Sequence, residues 1–80
     1  MLDERKATKM IVGIKQLRRA LSSGSVREVF LAADADPRLT DPILDVCADT
    51  GIPCEIVPTM QELGRACGID VGAAAAGISR

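Results

Sequence analysis

Apolar residues recur in short blocks along the whole chain, and the spacing inside each block changes from one to the next. Met10, Ile11 and Val12 are consecutive and end at Gly13, which suits a short buried strand from Thr8 to Val12. The polar stretch before it, residues 2–9, can form a short first helix. From Ile14 to Ser23 the period becomes helical: Ile14, Leu17 and Leu21 share one face with Ala20 beside them, and Gly24 stops the helix. Glu28 to Ala33 is a short continuous apolar run and predicts a central strand. Two helix starts follow, Asp36-Pro37 and Thr40-Asp41-Pro42, and either can open a helix that carries Ile43, Leu44, Val46 and Cys47 to Gly51. Ile52 to Val57 predicts another strand, and Pro53 and Pro58 put it at a sheet edge. Thr59-Met60-Gln61-Glu62 is a capping box, after which Met60, Leu63 and Cys67 share a helical face until Gly68. The last segment, Val71 to Ser79, is open from its residues alone. Four consecutive alanines favour helix, Gly72 and Gly77 do not, and the absence of a polar face implies burial in either form. Strands alternating with helices indicate a layered α/β domain.

Composition narrows the chemistry. Eighty residues (1–80) make a single domain, and 48% apolar content lets it fold alone with modest stability. The single aromatic is Phe30, and there is no His, so neither imidazole general-base work nor a His-containing metal site is available. Cys47, Cys54 and Cys67 lie far apart with no C-x-x-C pair, which argues against a disulfide framework and against zinc. They read as buried free thiols of a reducing cytosol. No cofactor is implied. No run reaches the length of a membrane span, and the charged start Met1-Leu2-Asp3-Glu4-Arg5-Lys6 is no secretion signal, so the expected location is the cytoplasm, away from membranes.

The net charge of −1 hides an asymmetry. Residues 1–27 hold seven basic and two acidic residues, +5, while residues 28–80 hold three basic and nine acidic, −6. Such a distribution can give one face an attraction for phosphate while the whole stays near neutral. The basic residues concentrate in Gly13-Ile14-Lys15-Gln16-Leu17-Arg18-Arg19, a strand-to-helix turn opening on glycine. A helix N-terminus exposes unpaired N–H groups and welcomes phosphate. With Ile14, Leu17 and Leu21 buried, Lys15, Arg18 and Arg19 are expected on another side, and Gln16 one turn before Arg19. An amide and a guanidinium side by side can donate to base edges while Lys15 pairs with phosphate. An ordinary solvated basic stripe remains the alternative. Two loops should lie on one side of the sheet: Asp34-Ala35-Asp36-Pro37, whose carboxylates are explained by capping, and Gly68-Ile69-Asp70-Val71-Gly72. Ile69 and Val71 can pack against an unstacked base or belong to the core. With Phe30 in the strand core, no aromatic is free to stack on single-stranded bases, so an RNA target should be prefolded and read by shape, groove edges and phosphates.

These residues resemble a known family. Gly13-Ile14-Lys15-Gln16-Leu17-Arg18-Arg19-Ala20-Leu21-Ser22-Ser23-Gly24 is similar to the RNA-binding motif of the archaeal and eukaryotic ribosomal protein family written L-seven-Ae / L-thirty-e: Gly-x-Asn-Glu-x-x-Lys, then a later Gly. Leu31 to Pro37, Gly51-Ile52-Pro53 and Leu63 to Ile69 resemble its further segments in order, and the likeness is greatest to the short bacterial members of the YbxF type. The resemblance implies a three-layer α/β/α sandwich with a four-stranded mixed sheet, in which Val71 to Ser79 is a buried strand. It implies a non-enzymatic protein that binds kink-turns, the sharply bent RNA loops with tandem sheared G·A pairs, in ribosomal RNA, a riboswitch or a ribozyme; nothing in the residues demands a partner chain, and a monomer is expected. Gly13 would let the backbone approach the RNA, and Lys15, Gln16 and Arg19 would contact G·A edges and phosphates, with Arg18 in the same basic segment. Asp36, Ile69 and Val71, with Asp70 between the last two, would line the site of a flipped-out nucleotide. Lys15 and Gln16 replace the family's Asn-Glu and Arg19 its Lys. A protein–protein interaction module on the same fold is the alternative function. Catalysis is remote without His or paired pocket groups.

Overall fold

The computed structural model describes residues 10–80, so the helix expected over residues 2–9 and the first residues of the strand expected from Thr8 lie outside the described part. From Met10 onward the elements are β1 (Met10–Val12), α1 (Ile14–Ser22), β2 (Val26–Ala32), α2 (Pro37–Thr50), β3 (Cys54–Val57), α3 (Met60–Ala66) and β4 (Ala75–Ser79). The strands form one sheet in the order β1-β4-β2-β3. β2 and β3 are parallel, and β4 runs antiparallel to both β1 and β2. The sheet is therefore mixed and four-stranded, with β2 inside and β3 at the edge, where its flanking prolines are tolerated.

Alternation along β2 divides its side chains between two cores. Val29 and Leu31 pack with Leu17 of α1, Ile43 and Cys47 of α2 and Ala75 of β4. Ala32, with the partly buried Phe30, packs with Leu63 of α3 and Ala76 of β4 on the opposite face. Two helices thus cover one face and the third covers the other, an α/β/α sandwich. Val26 and Val29 both enter the α1–α2 core although three positions separate them. Val26 pairs with Ser79 and Glu28 with Ile78, so Arg27 is one residue too many, and this bulge reverses the alternation.

The alanine-rich end of the chain is a strand because it has ladder partners on both edges and helices on both faces. Small side chains let α1 approach. At Gly77 an added Cβ would stand 2.7 Å from Leu17 Cδ1 and 3.1 Å from the Glu28 carbonyl. The strand is shorter than the sequence suggests, Ala75–Ser79 rather than Val71–Ser79, because the preceding residues bind to α3. The Ala73 N–H donates to the Met60 carbonyl at 2.9 Å, and Gly72 lies against Met60. Of the two competing starts for α2, Asp36-Pro37 is used, and Pro42 lies inside the helix. At β3 the ladder reaches back beyond the strand: the Val29 N–H donates to the Pro53 carbonyl at 2.9 Å.

Candidate nucleic-acid interface

β1, β2 and β3 point the same way and β4 runs against them, so the ends of three strands and the start of the fourth meet at one end of the sheet. Every loop the sequence marks as functional emerges there. Hydrogen bonds tie the loops together. The Gly13 N–H donates to the Ala75 carbonyl at 3.0 Å, and the Ala33 N–H to the Val57 carbonyl at 2.8 Å. Asp34 Oδ1 accepts the Met60 N–H at 2.8 Å across the start of α3, whose N-cap Thr59 accepts the Glu62 N–H at 3.0 Å. Asp34 thus takes the capping role its sequence suggests, but on a helix far along the chain that an acid in a turn does not identify.

Gly13 caps α1 with φ 103° and ψ 153°, without a side chain to satisfy the first-turn N–H groups. The conformation requires glycine, and so does space: an added Cβ would stand 2.8 Å from Gln16 Oε1. The Gln16 amide therefore folds back over the Gly13 backbone. Lys15 projects from the same first turn and is exposed. Gln16 and Arg19 line an open groove with Ser23, floored by Met10, Ile11 and Val12 of β1. Arg18 is not with them. It lines a crevice on the other flank of α1 with Leu21 and with Pro42 and Val46 of α2. Lys15, Arg18 and Arg19 are all exposed within an arc of about 100°, on the side expected of them, but Arg18 stands at the α2 edge of that arc and nearly opposite Gln16.

Asp36 occupies the N-cap of α2 and accepts the Arg38 N–H at 2.9 Å. Its carboxylate also pairs with the Arg38 guanidinium at 2.8 Å. The guanidinium first, then the backbone N–H, hold the Asp36 carboxyl below the usual carboxylate range. Its capping role is the one the sequence suggests, and Arg38, whose side chain is 89% exposed, adds a cation at this end of the sheet that the sequence reading did not single out. The available signal was its position two residues after a helix-capping Asp.

The fourth loop is clamped to α3. The Ile69 N–H donates to the Gly64 carbonyl at 3.0 Å, and a Cβ at Gly64 would collide with the Val71 carbonyl. Ile69 is half-buried against the α3-side core, whereas Val71 is 69% exposed and Asp70 is exposed beside it. The two apolar residues are therefore divided: Ile69 belongs partly to the core, and Val71 is presented to solvent. With Gln61 and Arg65, one turn apart on α3, these three loop residues line a shallow depression. Gln61 and Arg65 escaped the sequence reading because the helical spacing alone does not say that this flank faces the loop. Among the described residues no three Cys, Asp or Glu side chains converge in a way that could hold a metal ion, and no helix is long and apolar enough to cross a membrane.

Comparison with known proteins gives this geometry a context. A family model described as Ribosomal protein L7Ae/L30e/S12e/Gadd45 family matches residues 2–80. A Bacillus pumilus protein named RNA-binding protein is 44% identical over 73 residues, which span 91% of this chain and 89% of that one. The RNA-binding protein YbxF of Geobacillus stearothermophilus is 40% identical over 75 residues, spanning 94% of this chain and 92% of that one. Among solved structures, the Giardia lamblia 15.5kD RNA binding protein superposes with a TM-score of 0.82 at 29% sequence identity, covering 89% of this chain and 60% of that one.

Proposed function

The chain belongs to the ribosomal protein L7Ae/L30e/S12e/Gadd45 family, and from that premise we propose that it is a non-enzymatic RNA-binding protein that recognises and stabilises kink-turns. In this reading the whole chain, residues 1–80, acts as one monomeric cytoplasmic domain on ribosomal RNA, a riboswitch or a ribozyme. The observation that carries the reading is the junction at Gly13. A glycine-capped helix N-terminus presents free N–H groups, Lys15 stands on its first turn, and Gln16 and Arg19 share one groove. Backbone and Lys15 suit phosphates, while the amide and guanidinium suit base edges. Arg38 and the Ile69–Val71 loop, gathered at the same end, would hold the RNA on the other side of the bend. Binding the bent form in preference to the extended one shifts the RNA toward the bend without any chemical step.

A gel-shift titration against a standard kink-turn hairpin, and against a control whose G·A pairs are Watson–Crick pairs, tests the target. Tight binding to the first with a large loss on the second is expected. Equal weak binding to both would leave only a basic face and turn attention to protein partners. Gln16→Ala and Arg19→Ala should each weaken kink-turn binding by about 1–3 kcal/mol with unchanged circular dichroism. Unchanged affinity in both variants would sink the site assignment.

A further inference from the structure

The end of the sheet opposite the candidate interface holds two of the three cysteines together. Cys47 lies in the last turn of α2 and Cys54 is the first residue of β3. The connection between them is tight: the N–H groups of Gly51 and Ile52 both donate to the Cys47 carbonyl, at 2.9 and 3.1 Å, which turns the chain back beneath the helix. Cys54 pairs with Val29 across the parallel ladder, so it faces the same way as Val29, into the α1–α2 core. Cys47 is a member of that core, and Cys54 packs against it. The two thiols thus share one packed core, seven residues apart in the chain. Cys67 lies against the other core, beneath α3. Nothing in the proposed RNA contact uses the pair.

We propose that Cys47 and Cys54 form a thiol–disulfide exchange site, which a small organic disulfide converts into an intramolecular Cys47–Cys54 disulfide. The two thiols differ in access. Cys54 is half-buried and reachable, whereas Cys47 is only 3% exposed. They differ in acidity as well. Burial first, then the neighbouring Cys54, push Cys47 up to about 11; burial also raises Cys54, but the nearby Cys47 thiol works against that rise. Cys54 is thus the first to give a thiolate and the first to meet an oxidant. Its thiolate attacks the disulfide RS–SR, forms a Cys54–SR mixed disulfide and releases one thiolate, RS⁻. Cys47 then loses its proton, attacks the Cys54 sulfur and expels the second RS⁻. Two protein thiols are oxidised by two electrons, and RS–SR is reduced to two RSH once both thiolates are protonated. The product staples α2 to β3 across a short loop and leaves the loops at the other end of the sheet where they are.

The test exposes the folded full-length chain to oxidised glutathione at mildly alkaline pH, where the thiolate fraction is larger. Intact mass should show loss of two hydrogens without a retained glutathione, and peptide mapping should join Cys47 to Cys54 while Cys67 stays open to alkylation. Cys47→Ser should trap glutathione on Cys54, and Cys54→Ser should leave Cys47 reduced. Thermal melting of the oxidised wild-type chain should move upward, and dithiothreitol should reverse the shift. A stable glutathione adduct on wild-type Cys54, oxidation only at Cys67, or a folded chain that keeps both thiols reduced would each overturn the proposal. Kink-turn affinity should be the same before and after oxidation, so this proposal and the RNA reading stand or fall by separate measurements.

Discussion

Gly13 does two jobs with no side chain: it adopts a backbone conformation that L-residues avoid, and it leaves room for the Gln16 amide. Gly13→Ala should therefore cost about 1–3 kcal/mol of stability in urea unfolding. It should also weaken kink-turn binding beyond that loss, because the Cβ displaces Gln16. Retained affinity at full folding would show that Gln16 need not sit where it does. Asp36 gives a prediction in pH. Its carboxyl titrates lower in the folded chain than unfolded because of Arg38, so the pair adds stability that is fully present above the unfolded value of about 3.9. That stability is lost as pH falls through the depressed folded value. Asp36→Asn keeps a capping side chain but removes the ion pair. The stability gap between wild type and this variant should be flat from neutral pH down to the carboxylate range and close below it. Urea melts across that range would show this, and added salt should shrink the gap because the pair is exposed.

Between elements, the contact that positions the fourth loop is Gly64 against the Val71 backbone. Gly64→Ala forces α3 and the loop apart, and overpacking of this kind costs about 1–3 kcal/mol. Thermal melting should show the loss, and gel shifts should show weaker RNA binding, since Ile69, Asp70 and Val71 move with the loop. A variant with lowered stability and unaltered affinity would remove that loop from the interface. This contact also marks how far the sequence could be read. The spacing of Ile14, Leu17 and Leu21 predicted α1 nearly to the residue, and the run around Val29 predicted an inner strand, because each depends on the period of its own residues. The four alanines carry no period, and their form depends on partners far along the chain: β1 and β2 on either edge, helices above and below. The likeness to a family supplied what the residues could not. The bulge at Arg27 was equally hidden, since it exists only in the pairing of Val26 and Glu28 with β4. Within the candidate site, the division of Ile69 from Val71 and of Arg18 from Gln16 is a matter of which flank faces what. Sequence spacing names the flanks but not their neighbours.

Over the whole molecule the charge asymmetry becomes a spatial one. α1 carries Lys15, Arg18 and Arg19 exposed, while its neighbour α2 carries Asp41, Asp45 and Asp49 exposed at four-residue intervals. Phosphate is attracted along one helix and repelled along the next, which favours an approach from the end of the sheet rather than over its helical face. Binding should then be strongly salt-dependent, with log affinity falling against log salt by about 0.7–0.9 for each phosphate neutralised. Arg19→Ala should lower that slope by about one phosphate. Reversing Asp45 to Lys should strengthen binding to kink-turn and control RNA alike, because it changes attraction and not recognition. A gain confined to the kink-turn would mean that α2 lies within the interface.

The order of the strands has a consequence in time. β4 lies between β1 and β2, and of the four strands it is the last to be synthesised. As the chain leaves the ribosome, β1 has no partner until residues 75–79 emerge, and Leu17 can close on β2 but not yet on Gly77 of β4. Domains dominated by such distant pairings fold late and more slowly than those built from local contacts. Until that final stretch appears, the nascent protein can hold β2 beside β3 under α1 and α2 but cannot join β1 to them, so the sheet is completed by its least distinctive sequence, short in large side chains.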